Sequence, residues 1–119
     1  MLKFEWDESK AKSNFTKHGV DFDEAKSVFF DEFARIIYDE PHSKNEERFV
    51  ILGTSKRLRI LVVVHCFRQD DGIIRIISAR KATANEQAQY KEFLWKKSMI
   101  FRLLRQTPTR KRREKSRFP

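Results

Sequence analysis

Residues 61–83, LVVVHCFRQDDGIIRIISARKAT, decide the fold of this chain. Two apolar runs rich in β-branched residues flank a polar turn, which predicts two adjacent strands. Both runs are apolar at successive positions, so we expect central strands that are covered on at least part of each face. His65 lies in the first run, and the second run ends in Arg80 and Lys81. An imidazole and two cations on one rigid sheet would suit a phosphate-handling site.

The polar linkers on either side of this stretch are short, and short connections favour an antiparallel meander. The meander has four predicted strands: residues 35–38, 47–53, 58–67 and 73–80. Before it, we expect a short strand at residues 4–6 and two helices, at residues 8–17 and 22–30. Asp7 is the predicted N-cap of the first helix and Gly19 its stop.

A C-terminal helix follows the meander. Thr83 and Glu86 form a capping box that opens this helix, which we expect to run at least to Tyr90 and as far as Leu104. Asp21 and Glu24 form the same pattern before the second helix. The order of elements predicts an α+β fold in which the helices, including the C-terminal one, pack on the sheet.

The composition places the chain among small globular proteins. Its 119 residues are 36% charged and 39% hydrophobic, enough for one two-layer core. One cysteine, Cys66, makes no internal disulfide, and the first ten residues lack the apolar segment of a secretory signal. We therefore expect a cytoplasmic protein. Three histidines without close paired spacing argue against a zinc site, and the sequence predicts no cofactor.

The net charge of +9 is unevenly distributed. Residues 1–95 contain 16 basic and 16 acidic side chains, whereas residues 96–119 contain ten basic residues and one acidic residue. Within the neutral part, residues 1–47 have a net charge of −5 and residues 48–95 a net charge of +5. The half with the two central strands is thus the cationic half, and a basic surface favours phosphate-rich partners.

Several motifs together resemble the BrnT toxins of type II toxin–antitoxin systems. In chain order they are EWD, KHGVxFxEA (where x is any residue), EER, VVVH and RIISARKAT. The resemblance covers about residues 2–93. It implies a RelE-like fold and a metal-independent endoribonuclease that arrests growth by cutting RNA. It also implies a BrnA-like antitoxin whose ribbon-helix-helix part binds operator DNA. We therefore expect a toxin domain at residues 1–95.

Residues 96–119 depart from the family pattern because they are longer and more basic than expected. They predict a basic C-terminal extension that is partly helical, with residues 110–119 disordered in isolation. Alternating apolar and basic residues at 93–105 indicate either an amphipathic helix that meets a membrane surface, RNA or a subunit, or an extended last helix before a solvated charge run.

The predicted catalytic residues are His65, Arg80 and Glu86. Metal-independent RNA cleavage needs a base, an acid and cations that stabilise the pentavalent phosphorane. His65 could serve as acid or base, or could be a histidine tolerated in a strand. Arg80 suits bidentate phosphate binding, or could belong to a solvated pair with Lys81. Glu86 is a candidate base, or only the capping-box partner of Thr83.

Further residues are predicted to contact RNA or phosphate. Arg48 could clamp phosphate or pair with the preceding Glu46 and Glu47. The other candidates are single members of the cationic surface, of the KHG motif or of the last helix: Lys81, Lys17, His18 and Tyr90. Lys17 and His18 have an alternative role at the C-terminus of the first helix, where cations interact favourably with the helix dipole.

Two other functions remain compatible with the sequence. One is a nucleic-acid-binding or co-repressor module without catalysis, acting with an antitoxin through the basic extension. The other is a protein-interaction module in which the uneven charge docks an acidic antitoxin segment.

Overall fold

A computed structural model describes residues 2–38, 47–68 and 72–106 of the chain. The elements follow the predicted order. The strands are β1 (Lys3–Glu5), β2 (Arg35–Tyr38), β3 (Arg48–Thr54), β4 (Ile60–Arg68) and β5 (Ile73–Lys81). The helices are α1 (Glu8–His18), α2 (Phe22–Ser27) with a 3₁₀ turn at Val28–Phe30, and α3 (Ala84–Gln106). The predicted disorder of residues 110–119 lies outside the described residues.

The five strands form one mixed sheet in the order β1-β5-β4-β3-β2. Strands β2 to β5 are the predicted antiparallel meander. Strand β1 pairs in parallel with β5 at the sheet edge. The central position of β4, flanked by β3 and β5, explains why its sequence is apolar on both faces. The predicted α+β fold is confirmed.

Helices cover both faces of the sheet. On one, here called the α1 face, Leu61 and Val63 of β4 pack with the first two helices around Phe22 and Val28. On the other, the α3 face, Val62 packs in a smaller core of Leu52, Ala82 and Tyr90. Alternate residues of one strand thus belong to different cores, as the pleat of a strand requires.

A β-bulge at Ile77 changes the expected alternation along β5. Val64 pairs with Ser78, whereas the next residue, His65, pairs with Ile76. Counting along the sequence alone would place Ile76, Ser78 and Arg80 on one face. That expectation is wrong for Ile76, which is buried in the core of the α1 face. A bulge inserts one unpaired residue, so the faces exchange on its two sides.

Side chains that cap the helices, and an ion pair between α2 and the segment before β4, fix the loops between the helices and the sheet. Asp7 accepts the backbone N–H of Lys10 at 3.0 Å, and Gly19 ends α1 with φ of 70°. Asp21 caps α2 as predicted, since it accepts the N–H of Glu24 at 2.7 Å. The carboxylate of Glu24, however, does not complete the capping box. It turns inward and pairs with Arg59 in the segment before β4.

Candidate nucleic-acid interface

The sheet divides the predicted catalytic residues between its two faces. Arg80 pairs in register with Val62, which belongs to the core of the α3 face. His65 packs edge-on against Phe29, with ring centroids 4.7 Å apart, and Phe29 lies on the core of the α1 face. The structure therefore brings Arg80 together with Glu86 of α3 but not with His65.

Glu86, in the first turn of α3, holds the guanidinium of Arg80 by two parallel hydrogen bonds. Nη1 donates to Oε1 at 2.8 Å and Nη2 donates to Oε2 at 2.9 Å. The capping box with Thr83 is also present, since Oε1 accepts the Thr83 N–H at 2.8 Å and Thr83 Oγ1 accepts the Glu86 N–H at 3.2 Å. The start of α3 thus fixes the carboxylate, and the carboxylate fixes the arginine.

This ion pair stabilises the charged form of both groups. The hydrogen bonds from Arg80 outweigh partial burial and lower the pKa of Glu86 to about 2. The same hydrogen bonds raise the pKa of Arg80. Glu86 is therefore anionic at neutral pH, and a carboxylate with so low a pKa is a weak general base. Its geometry and charge suit the positioning of Arg80.

One edge of the Arg80 guanidinium remains open. Nη1 also donates to the carbonyl of Lys81 at 3.3 Å, whereas no described residue accepts a hydrogen bond from Nε or a second one from Nη2. In a planar guanidinium these two N–H groups point the same way, and together they match two oxygens of a phosphate. The side chain is 40% exposed, so an anion can approach this edge.

Tyr90 lies one turn beyond Glu86 but faces the core, with 3% of its surface exposed. Its hydroxyl donates to Asp31 Oδ2 at 2.5 Å and accepts a hydrogen bond from Thr54 Oγ1 at 3.1 Å. Burial, and next the bond to Asp31, raise the pKa of this phenol. Both hydroxyl partners are protein groups, so in this arrangement Tyr90 ties α3 to β3 and to the segment before β2.

His65 is enclosed by aromatic rings. It is 5% exposed, and besides Phe29 it stacks on Phe49 with ring centroids 6.0 Å apart. Its Nδ1 lies 3.4 Å from the carbonyl oxygen of Val63. Desolvation by burial lowers the pKa of the imidazole. The ring is therefore neutral at pH 7 and enclosed on the face opposite Arg80.

Two more arginines lie farther along the α3 face, where its core ends. Arg48 of β3, predicted from the sequence, pairs in register with Cys66, and Cys66 pairs in register with Arg75 of β5. Both arginines are half-buried. Cys66 is four residues from Val62, the register partner of Arg80. About 13 Å along the strand therefore separates Arg48 and Arg75 from Arg80. We call Arg48, Arg75 and Arg80 the arginine face. Glu46, a suggested partner of Arg48, lies outside the described residues.

Arg75 is the residue that the sequence reasoning missed. It interrupts the apolar run IIRII of a central strand, and a cation there must either pair or face an open surface. That signal could have identified it. Its face could not be counted from the C-terminal end of the strand because of the bulge at Ile77.

The remaining candidates lie elsewhere. Lys81 is exposed and pairs in register with Leu61, on the face opposite Arg80. Lys17 and His18 form the last turn of α1. Within the described part of the chain, no hydrogen bond or ion pair joins any of the three side chains to the Arg80–Glu86 pair. The structure therefore does not gather them into one site with Arg80.

The arginine face can hold phosphates and stabilise negative charge that develops on one of them. Two carboxylates lie beside these arginines among the described residues, and each already has a cationic partner. Glu86 is paired with Arg80, and Glu5, the register partner of Arg75, is paired with Arg68 at 2.9 Å. Among residues 2–38, 47–68 and 72–106, no three His, Cys, Asp or Glu side chains are grouped closely enough to hold a metal ion. In the same ranges no helix is long and apolar enough to cross a membrane.

Comparison with known proteins identifies the family of this small α+β domain with an arginine-lined sheet face. Residues 6–86 match the family model described as the ribonuclease toxin BrnT of type II toxin–antitoxin systems. This chain belongs to that family.

A solved structure gives a similar result. The crystal structure of the ribonuclease toxin BrnT from Brucella abortus is 26% identical to this chain, with a TM-score of 0.54. The match covers 70% of this chain and 99% of the Brucella chain. The search of curated proteins gives no significant match.

Proposed function

We propose that this protein is a metal-independent endoribonuclease of the cytoplasm that arrests growth by cutting RNA at the arginine face. The observation that carries the proposal is Arg80, held by Glu86 at 2.8 and 2.9 Å with its Nε edge open. Membership of a ribonuclease toxin family supplies the reaction class. The substrate is single-stranded or translated RNA, whose backbone can lie along the part of the α3 face beyond its core.

In the proposed reaction the 2′-oxygen of a ribose attacks the adjacent phosphorus and the bond to the 5′-oxygen breaks. The products are a 2′,3′-cyclic phosphate and a 5′-hydroxyl end. The Nε edge of Arg80 binds the non-bridging oxygens, where negative charge increases in the transition state. Arg48 and Arg75 bind neighbouring phosphates and set the register of the RNA. Glu86 is a positioning residue that acts through Arg80.

Cleavage also needs one group to take the 2′-hydroxyl proton and another to protonate the 5′-oxygen. A pKa of about 2 makes Glu86 a poor choice for either role. His65 is buried on the face of the sheet opposite Arg80. We propose that charge stabilisation and in-line positioning supply most of the rate enhancement. The pH dependence of cleavage in His18→Ala and His65→Phe proteins will identify which histidine, if either, transfers a proton.

The proposed biological setting is a toxin held inactive by a partner. Type II toxins are paired with a protein antitoxin, here proposed to be BrnA-like, with a ribbon-helix-helix part that brings the complex to operator DNA. The BrnT family supports an antitoxin partner. The identity of the antitoxin and the DNA contact are our proposals.

The direct test is to incubate purified protein with single-stranded RNA in excess EDTA and to analyse the new ends. We expect cleavage with 2′,3′-cyclic phosphate ends. Cleavage that appears only after magnesium is added would exclude the metal-independent reaction, and intact RNA under all conditions would exclude the nuclease.

A non-catalytic nucleic-acid-binding module, acting as a co-repressor with an antitoxin, is the second candidate. It is favoured by the absence of an evident proton-transfer pair beside Arg80 among the described residues, and by the ten basic residues of segment 96–119. It predicts that Arg80→Ala and His65→Ala leave growth arrest unchanged, whereas deletion of residues 96–119 weakens binding of DNA or RNA.

A further inference from the structure

The distal half of α3, residues 95–106, presents an apolar surface that the rest of the domain does not cover. Trp95 and Leu104 are 64% and 65% exposed. Other large side chains in this half are also exposed: Met99, Ile100, Phe101 and Leu103. The family match ends at residue 86, so this surface is built from residues beyond the matched region. An exposed cluster of this size on a small domain marks an interaction site.

A groove runs between this half of α3 and the segment before β2. It has a volume of about 460 Å³ and is lined by Glu32, Phe33, Ser98, Phe101, Arg102 and Arg105. We call it the distal groove. Phe33 and Phe101 meet edge to face with ring centroids 6.3 Å apart, so the groove has an aromatic floor. Trp95 and Met99 lie next to Arg102 around the helix, because residues three and four apart share a face.

The distal groove is positively charged, and its arginines are available to pair with an anionic partner. Within the described residues neither Arg102 nor Arg105 has an ion-pair partner, and Glu32 is the only acidic residue of the lining. Residues 107–119 add six basic residues and one acidic residue in sequence. The surface therefore combines large apolar side chains with unpaired guanidinium groups, and its complement is a segment that is both apolar and acidic.

We propose that the distal groove binds an acidic protein segment with large apolar side chains. This rests on the proposed function, in that the segment is assigned to the antitoxin. A second copy of this chain fits poorly because its own α3 carries the same positive charge. RNA would satisfy the arginines but would leave the aliphatic side chains without a partner. An anionic membrane would meet the convex side of the helix but not the concave groove, where the arginines and Phe33 lie.

Trp95 provides a local probe of docking. The chain has two tryptophans, so a Trp6→Phe protein reports on Trp95 alone. We expect the antitoxin encoded with the toxin to shift the Trp95 emission to shorter wavelength on binding. An antitoxin without tryptophan, or one whose tryptophans are replaced by phenylalanine, avoids overlap of the signals. Unchanged Trp95 emission at saturating antitoxin would overturn the proposal.

Charge reversal tests the chemistry of the partner. We expect Arg102→Glu/Arg105→Glu to weaken antitoxin binding at least tenfold, because like charges then face each other, while RNA cleavage by the free protein at saturating RNA stays unchanged. Lys12→Glu, on exposed α1, is the matched control and should bind normally. Equal affinity of the double variant would overturn the proposal, as would a Trp95 shift given by RNA or phosphatidylglycerol vesicles but not by the antitoxin. The two proposals can fail separately. If the parent protein never cleaves RNA but the double variant still loses antitoxin binding, the nuclease is refuted and the docking proposal stands.

Discussion

His65 shows how burial decides the behaviour of a single titratable group. Desolvation lowers the pKa of its imidazole below the ordinary value of 6.5. The unfolded chain therefore binds a proton more readily than the folded protein once the pH falls below about 6.5. Folding stability is lost in that range and is unaffected by this group at higher pH.

We predict that the free energy of unfolding falls between pH 7 and pH 5, with a contribution from His65 of at most about 1.4 kcal/mol per pH unit. Phenylalanine matches the surroundings of Phe29 and Phe49 and does not titrate, so His65→Phe should flatten this decline. Urea unfolding at several pH values measures the effect. If the variant and the parent protein lose stability in parallel, the imidazole is not the group responsible.

Glu86 is the residue through which α3 acts on Arg80. We predict that Glu86→Gln lowers kcat for RNA cleavage by about tenfold to a hundredfold, because the guanidinium loses its fixed orientation, with a smaller change in KM. Thr83→Ala is the control, since it removes the cap bond to the Glu86 N–H without touching the ion pair. It should cost about 1 kcal/mol of stability and leave kcat unchanged. Equal loss of kcat in both variants would mean that only the helix start matters.

The Glu86 carboxylate also makes folding stability depend on pH in the acid range. Its folded pKa of about 2 lies below the ordinary value of 4.5. The contribution is therefore complete above about pH 4.5 and is lost as the pH falls towards 2. Because Arg80 is 40% exposed, solvent screening keeps this contribution well below the full value of the pKa shift.

At the scale of elements, the turn before β4 is attached to α2 by a buried ion pair. Glu24 is fully buried, and its carboxylate accepts hydrogen bonds from Arg59 and from Ser55, the latter at 2.7 Å. Arg59 also donates to the carbonyl of Gly19 at 3.1 Å. These bonds lower the pKa of Glu24, the one from Arg59 most. The pair joins the end of α1, the start of α2 and the β3–β4 turn.

We predict that Arg59→Ala destabilises the protein by about 3 kcal/mol or more, because it leaves a buried carboxylate without its main partner. Arg57→Ala, whose guanidinium lies 3.9 Å from Glu24 and is 60% exposed, should cost less than about 1 kcal/mol. Urea unfolding at pH 7 compares the two. Similar losses would mean that the pair around Glu24 is not the main link between these elements.

The sequence predicted most elements because local signals agree with the final structure. Asp7 and Gly19 mark α1 in both, and Thr83 with Glu86 marks the start of α3. The capping box at Asp21 was only half correct, since Glu24 is drawn to Arg59, 35 residues away in sequence. The bulge at Ile77 was not predicted either, because it arises where β4 and β5 pair and not from either strand alone.

The same limit applies to the candidate site. Arg80 and Glu86 are six residues apart, and the strand exit followed by a capping box was visible in SARKATANE. The separation of His65 from Arg80 depends on the register in which β4 and β5 pair, with Arg80 opposite Val62 and His65 opposite Ile76, and that register is a tertiary property. Sequence spacing alone could not distinguish a histidine facing the arginines from one facing Phe29.

At the scale of the whole molecule, positive charge is concentrated in sequence towards the C-terminus: residues 48–95 have a net charge of +5, and residues 96–119 contain ten basic residues and one acidic residue. Residues 107–119 contribute six basic residues and one acidic residue. Basic residues outside the site add affinity for any nucleic acid, and this affinity depends on salt.

We predict that truncation after residue 106 weakens RNA binding to a similar extent for all sequences and makes it less dependent on salt. Each lost phosphate contact should reduce the slope of log K against log salt by about 0.7 for single strands. Cleavage at saturating RNA should not change, because the arginine face is intact. Filter binding across a salt series measures the slope. A truncated protein that binds normally but no longer cleaves would place residues 107–119 at the active site.

The proposed reaction depends on Arg80, which we infer stabilises the phosphate at which RNA is cut. The most direct measurement is the single-turnover cleavage rate in EDTA for Arg80→Ala beside Arg57→Ala, an exposed arginine of the β3–β4 turn, with folding of both verified by circular dichroism. We predict that Arg80→Ala lowers the rate by about a hundredfold or more and that Arg57→Ala cleaves like the parent protein. Unchanged cleavage by a folded Arg80→Ala protein would contradict the account.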